Sequence, residues 1–205
     1  MTHYPIDRKV WEQGLTSEAF IERMTEHKGA MQRRLAQVRL SPEEQASFQK
    51  LDRKPVYMLV MTEEWCSDCL MNLPILIRIA EAAPNMPTRI FIRREWPELR
   101  AYYNGQDIPS IPVATFLDDD FNPIGSWIER PVAAHVRLAE WKAAHPEIEI
   151  TRRRADLTAE QKREMLHEVL DQLLVEMEEW YNAGLQSETV REVADLLGLA
   201  ATAKG

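Results

Sequence analysis

The stretch PVYMLVM (55–61) is apolar at every position, short and rich in strand formers. Such a run, following the Lys54-Pro55 break, reads as a strand. It is followed by CSDCLMNLPILIRIAEAAP (66–84), helical in pattern and closed before Pro84, and then by TRIFIRR (88–94), a second strand. Strand, helix and strand in such quick succession make a right-handed parallel crossover. WPELRAYYNG fits a short helix from Pro97 to about Gly105, and VATFLDDDFNPIGSWI (113–128) reads as a hairpin about a polar turn. Pro131 suits the first turn of a helix running to about Ala144, stopped by Pro146. The order β-α-β-α-β-β-α predicts an α/β fold: a four-stranded mixed sheet with an antiparallel edge, flanked by helices.

The flanks read as helical extensions. Phe20, Met24, Met31, Leu35 and Val38 recur at helical spacing, with Thr16 or Ser17 available as N-cap. Ser41, Pro42 and Glu44 form a capping box, and Thr158 and Gln161 a second. Leu166, Val169, Leu170, Leu173, Met177 and Trp180 make an apolar stripe ended by Gly184, and Ser187 is the expected cap of a last helix through Leu197. TRRRAD (151–156) is expected to be a solvated linker. The boundaries are an N-terminal extension at 1–52, a core at 53–145 and a C-terminal extension at 146–205. So broad a stripe must be buried, against the core or in a homodimer, and is expected to serve association rather than chemistry.

The 205 residues carry a net charge of −8, which argues against a general binder of nucleic acid or anionic membranes. MTHYPIDRKVWEQGL shows no basic start followed by an apolar stretch, and no segment has the length of a membrane span. The expected compartment is the cytoplasm. The two cysteines, Cys66 and Cys69, stand together in TEEWCSDCLMNLP. A secreted domain stapled by disulfides would use more, so this pair reads as redox chemistry. A zinc site calls for about four ligands; His3, His27, His135, His145 and His167 are scattered and none is paired at i, i+4. Neither metal nor bound cofactor is expected.

A strand running into a helix puts Cys66 at the helix start, where free backbone N–H groups and the positive end of the dipole stabilise a thiolate. Cys69 lies one turn deeper on the same face. An exposed Cys66 would attack a substrate disulfide, and Cys69 would then release the product. EEWCSDC, with Pro74 eight residues after Cys66 and SIPVATFL further on, resembles the thioredoxin superfamily. The fuller pattern is similar to a bacterial thioredoxin-like branch with a WCxDC motif and helical extensions. The resemblance implies a thioredoxin-like fold over about 55–145 and a protein-disulfide reductase. It further implies a cis-proline at Pro112 facing the cysteines and an apolar lip of Trp65 and Ile111 for an extended substrate. Its partners would be a disulfide-containing protein or small molecule and a thiol reductant or reductase. The alternative is a binding module or redox sensor whose extensions contact a partner.

Two departures stand out. Thioredoxins carry a buried aspartate six residues before the first cysteine, and here that position is Val60. The motif interior is Ser67-Asp68, and a carboxylate at Asp68 is expected to raise the Cys66 pKa. Glu63 and Glu64 are further acids nearby. Arg93, Arg94 and Arg130 fall at the same rim of the sheet and are candidates to offset them.

Overall fold

The computed structural model of the protein describes residues 4–51 and 54–199. His3 and the boundary drawn at 52/53 lie outside the described residues. Helices α1 (Arg8–Trp11), α2 (Ser17–Arg23), α3 (Lys28–Gln37) and α4 (Pro42–Phe48) precede the sheet. Strand β1 (Tyr57–Thr62) leads into α5 (Ser67–Ala82), β2 (Thr88–Ile92) and α6 (Pro97–Gly105). The hairpin β3 (Val113–Leu117) and β4 (Pro123–Ile128) follows, then α7 (Val132–Ala144), α8 (Pro146–Arg153), α9 (Ala159–Trp180) and α10 (Gln186–Leu196).

The sheet order is β2-β1-β3-β4, with β1 parallel to β2 and every other pairing antiparallel. All six residues of β1 are buried, which explains its unbroken apolar run. Side chains alternate between two cores, as a strand's period of two requires. Met58, Val60, Ile90, Ala114 and Phe116 face one core with most of the helices. Leu59, Met61, Phe91, Val113 and both cysteines face the other, under Trp11, Leu99 and Tyr103. The turn of the hairpin is built by the Asp118 carboxylate, which accepts the N–H groups of Asp120 at 2.9 Å and Asn122 at 2.8 Å. The outer edge of β2 is partly covered by Leu15, which exchanges both backbone hydrogen bonds with Ile90. Gly14 permits that approach, since a Cβ there would stand 2.6 Å from the Phe91 ring.

The flanking helices share the core of the sheet. α3, α4, α9 and α10 pack on α5, and α10 also packs on β4. Leu166, Leu173 and Met177 of the stripe are buried there, with Val169, Leu170 and Trp180 partly covered. Burial of three such side chains, at about 1.5–3 kcal/mol each, holds α9 to its own chain. The stripe therefore caps the core of its own chain, one of the two fates expected for it.

Several boundaries differ from the sequence reading. The N-terminal segment is helical as expected, and its break, which the spacing does not mark, follows α2. There the backbone N–H groups of Thr25 and Glu26 donate to the Glu64 carboxylate at 2.6 and 3.2 Å instead of continuing the helix. Pro146 begins α8 at its first position as well as ending α7, so Thr151–Arg153 of the expected linker complete a helix. Ser187 caps nothing. The chain passes from α9 through a wide π turn at Tyr181–Leu185, where Gly184 takes φ 144°, directly into α10. Among the described residues no helix is long and apolar enough to cross a membrane.

Candidate active site

Cys66 is the N-cap of α5, with extended backbone (φ −84°, ψ 121°), and so stands just before the first turn. Its sulfur accepts the Cys69 N–H at 3.4 Å and faces the Ile111 carbonyl, to which its thiol donates at 3.6 Å. Both cysteines are free thiols. The Cys69 side chain also donates to the Cys66 sulfur, and with the Cys69 and Asp68 backbone N–H groups it draws the Cys66 pKa below the ordinary thiol value. Burial pushes the Cys69 thiol well up, and the hydrogen bond to Cys66 pushes it the same way. The expectation of an exposed Cys66 needs correcting: it is 8% exposed, against 1% for Cys69. Trp65, one residue before it, is 54% exposed. Ile111 is buried, and the Ile111–Pro112 bond is cis.

The three acids near the motif are each taken up. Asp68 is buried and receives Arg130 through both oxygens, Nε to Oδ1 at 2.8 Å and Nη2 to Oδ2. The same Nη2 reaches Glu129 at 2.7 Å. Arg94 donates its backbone N–H to Glu63 at 2.7 Å and its guanidinium to both Glu63 and Glu64. Glu64 is held below the usual carboxylate range, first by the Thr25 backbone N–H. The expected upward push of Asp68 on the Cys66 pKa is present, but it does not set the net direction. The hydrogen bonds to the sulfur outweigh that push, and Arg130 sits on the acid. Arg93 takes no part in this pairing; its backbone N–H donates to Thr62 and its Nε is buried without a partner.

Comparison with known proteins supplies the family. A family profile described as thioredoxin matches residues 14–142, well over half of the chain. The chain belongs to the thioredoxin superfamily. Among solved structures, the thioredoxin-like fold is shared with a protein of unknown function from Pseudomonas aeruginosa at 21% identity, covering 93% of this chain and 96% of that one, with a TM-score of 0.63. An HIV epitope scaffold matches at 21% identity, covering 94% of this chain and 98% of its own, with a TM-score of 0.61. No functionally curated protein matches the sequence.

The position that holds an aspartate in thioredoxins, Val60, is fully buried between Ile90 and Ala114. What faces the Cys69 sulfur instead is the hydroxyl of Thr62, otherwise without a polar partner, and the backbone N–H of Glu63. Asn72, also overlooked in the sequence, lies buried in α5 beneath the motif. It bonds the carbonyls of Asp68 and Glu129, and from the C-terminal segment Tyr181 and Thr189. A signal was present in LMNLPILI: one amide in a helical stretch otherwise apolar has to be satisfied inside.

Proposed function

We propose that the protein is a thiol–disulfide oxidoreductase that reduces disulfides through Cys66 and Cys69. One observation carries this reading: the Cys66 sulfur caps α5, receives hydrogen bonds from Cys69, and faces the carbonyl of Ile111. The pair is thereby divided into a thiol that ionises readily and one that does not, which is what two sequential attacks need.

In the first step the Cys66 thiolate attacks one sulfur of a substrate disulfide. The substrate S–S bond breaks, a Cys66–substrate disulfide forms, and the departing sulfur leaves as a thiolate that takes up a proton. Cys69 then gives up its proton and attacks the Cys66 sulfur. The mixed disulfide breaks and the second substrate sulfur departs as a thiol, leaving a Cys66–Cys69 disulfide. Two electrons and two protons have passed to the substrate, and an external dithiol or a reductase restores the pair. Trp65 supplies an exposed apolar face beside the nucleophile, and the Ile111-Pro112 segment the backbone along which an extended chain would lie. Asp68 tunes the pair with Arg130 as its counterion. A dithiol that must be kept reduced suits the cytoplasm.

Dithiothreitol-dependent reduction of insulin disulfides tests the reading. The wild type is expected to turn over, Cys66→Ser to be inactive, and Cys69→Ser to accumulate a mixed disulfide without turnover. A wild type indistinguishable from dithiothreitol alone would contradict it. A second reading, a redox-sensing assembly module, draws on the bonding of the C-terminal segment to α5 through Asn72; insulin turnover would sink that one.

A further inference from the structure

We infer that Asn72 is a positioning residue for the dithiol, held in place by Tyr181 and Thr189, so that the C-terminal helices set the reactivity of Cys66 through the Asp68–Arg130 pair. The inference rests on the dithiol reading above and adds to it a route by which a distant part of the chain acts on the site.

The amide of Asn72 has its orientation fixed by its neighbours. Its oxygen accepts the Thr189 hydroxyl at 2.9 Å. Its nitrogen lies 3.0 Å from the Asp68 carbonyl, 3.3 Å from the Glu129 carbonyl and 2.7 Å from the Tyr181 phenol. A flipped amide would turn an acceptor toward two carbonyls, so one orientation is favoured. Asn72 and Thr189 are fully buried and Tyr181 nearly so; leaving any of these groups unpaired is costly.

What the amide joins matters more than what it stabilises. The Asp68 carbonyl belongs to the first turn of α5, four residues before Asn72. The Glu129 carbonyl belongs to the loop after β4, which carries Arg130. There Glu129 takes a left-handed conformation (φ 66°), and its N–H donates to the Pro112 carbonyl at 2.7 Å. A non-glycine residue in that region is held by its surroundings, and Asn72 and Pro112 are what hold it. Through one side chain the cysteine turn, the Arg130 loop and the proline segment are bound together. The groups that act on Cys66 directly are the Asp68 carboxylate and the Cys69 thiol, with Arg130 bound to Asp68 and to Glu129, and Asn72 touches the backbone of Asp68 and Glu129.

The C-terminal segment supplies the other end. Tyr181 opens the π turn after α9, and Thr189 lies in α10 beyond it. The turn at Gly184 brings both to the same amide. The next residue, Asn182, accepts the buried Arg34 guanidinium of α3 at 2.7 Å, which ties this turn to α3. Tyr181 makes the shortest of the nitrogen's bonds. Its loss frees the amide to swing, and the grip on Glu129, the longest bond, goes first. Arg130 then follows Asp68 less closely, and the carboxylate acts on Cys66 with less compensation.

The test is the pH profile of Cys66 alkylation in the reduced full-length protein, with melting temperature alongside. Tyr181→Phe keeps the ring, and Asn72→Leu removes the amide at similar volume. Both are expected to move the Cys66 midpoint upward, Asn72→Leu by more, slowing reaction at neutral pH by about threefold for a rise of about half a unit. In an Asp68→Asn background neither substitution should move the midpoint, because the charge through which they act is gone. Variants that melt earlier yet keep the wild-type profile would make the network merely structural and overturn the inference. Tyr181→Phe, the milder change, decides the matter if Asn72→Leu does not fold. If wild-type Cys66 itself titrates as an ordinary thiol, the dithiol reading fails instead, and the two failures are distinct.

Discussion

The two arginines that flank the cysteine turn do similar work in different surroundings. Arg94 pairs Glu63 and Glu64 before the motif with its side chain 51% exposed, whereas Arg130 pairs Asp68 and Glu129 beside it at 12%. Each bridges two carboxylates. The acids under Arg94 have other donors, the backbone N–H groups of Arg94, Thr25 and Glu26. The Asp68 carboxylate has only the guanidinium of Arg130 among its side-chain bonds in the described residues, and it lies two residues from the nucleophile. The outer clamp fastens the turn to the N-terminal helices; the inner one decides what charge Cys66 feels.

Substitutions should separate these roles. The largest effect is expected for Arg130→Gln, which leaves Asp68 buried without its counterion. Stability should fall by about 3 kcal/mol and the Cys66 pKa should rise, read by urea denaturation and by thiolate titration. Next comes Asp68→Asn, in which Arg130 keeps Glu129. It should cost about 1–2 kcal/mol and lower the Cys66 pKa, with faster alkylation at neutral pH. Arg94→Gln should cost about 1 kcal/mol and leave the alkylation profile unmoved, because Glu63 and Glu64 keep their backbone donors. A shift in that profile as large as that of Arg130→Gln would erase the distinction between the two clamps. Smallest in stability is Thr62→Val, expected within about 1 kcal/mol. It should leave Cys66 alkylation unchanged and slow the release of a mixed disulfide by Cys69, which stopped-flow quenching of Trp65 fluorescence would follow.

The sheet was legible because its signals are local. An unbroken apolar run, a helical stretch and a hairpin about DDDFNP each announce themselves within about ten residues. The cysteine pair stands out by its spacing, whereas Trp65 and Ile111-Pro112 were picked out by the resemblance to thioredoxins; the Ser41 and Thr158 caps fall where the capping boxes predict. The flanks were harder to read. The periodicity from Phe20 to Val38 hides a break made by Glu64, a residue about forty positions away. The charge around Cys66 was legible only in part. Asp68 opposes a thiolate as expected, and Arg130 was one of three arginines placed at its rim. Spacing cannot say which of the three comes to rest on Asp68, or that hydrogen bonds to the sulfur outweigh the acid. Asn72 of α5 bonds Tyr181 of the π turn and Thr189 of α10, each more than a hundred residues away, which spacing cannot disclose.

The central claim is that Cys66 and Cys69 are divided in acidity by their hydrogen bonds and burial. It is tested most directly by alkylating the reduced protein with limiting iodoacetamide across a pH series and locating the label by peptide mass spectrometry. Only a thiolate reacts, so the rate at Cys66 should rise with pH through its lowered pKa and level off above it, with a midpoint below the ordinary thiol value of about 8.5. Cys69, whose pKa is raised, should stay unlabelled over that range. The account predicts label on Cys66 first, with a midpoint under that value. Label on Cys69 first, or a Cys66 midpoint at or above that of a free thiol, would contradict it.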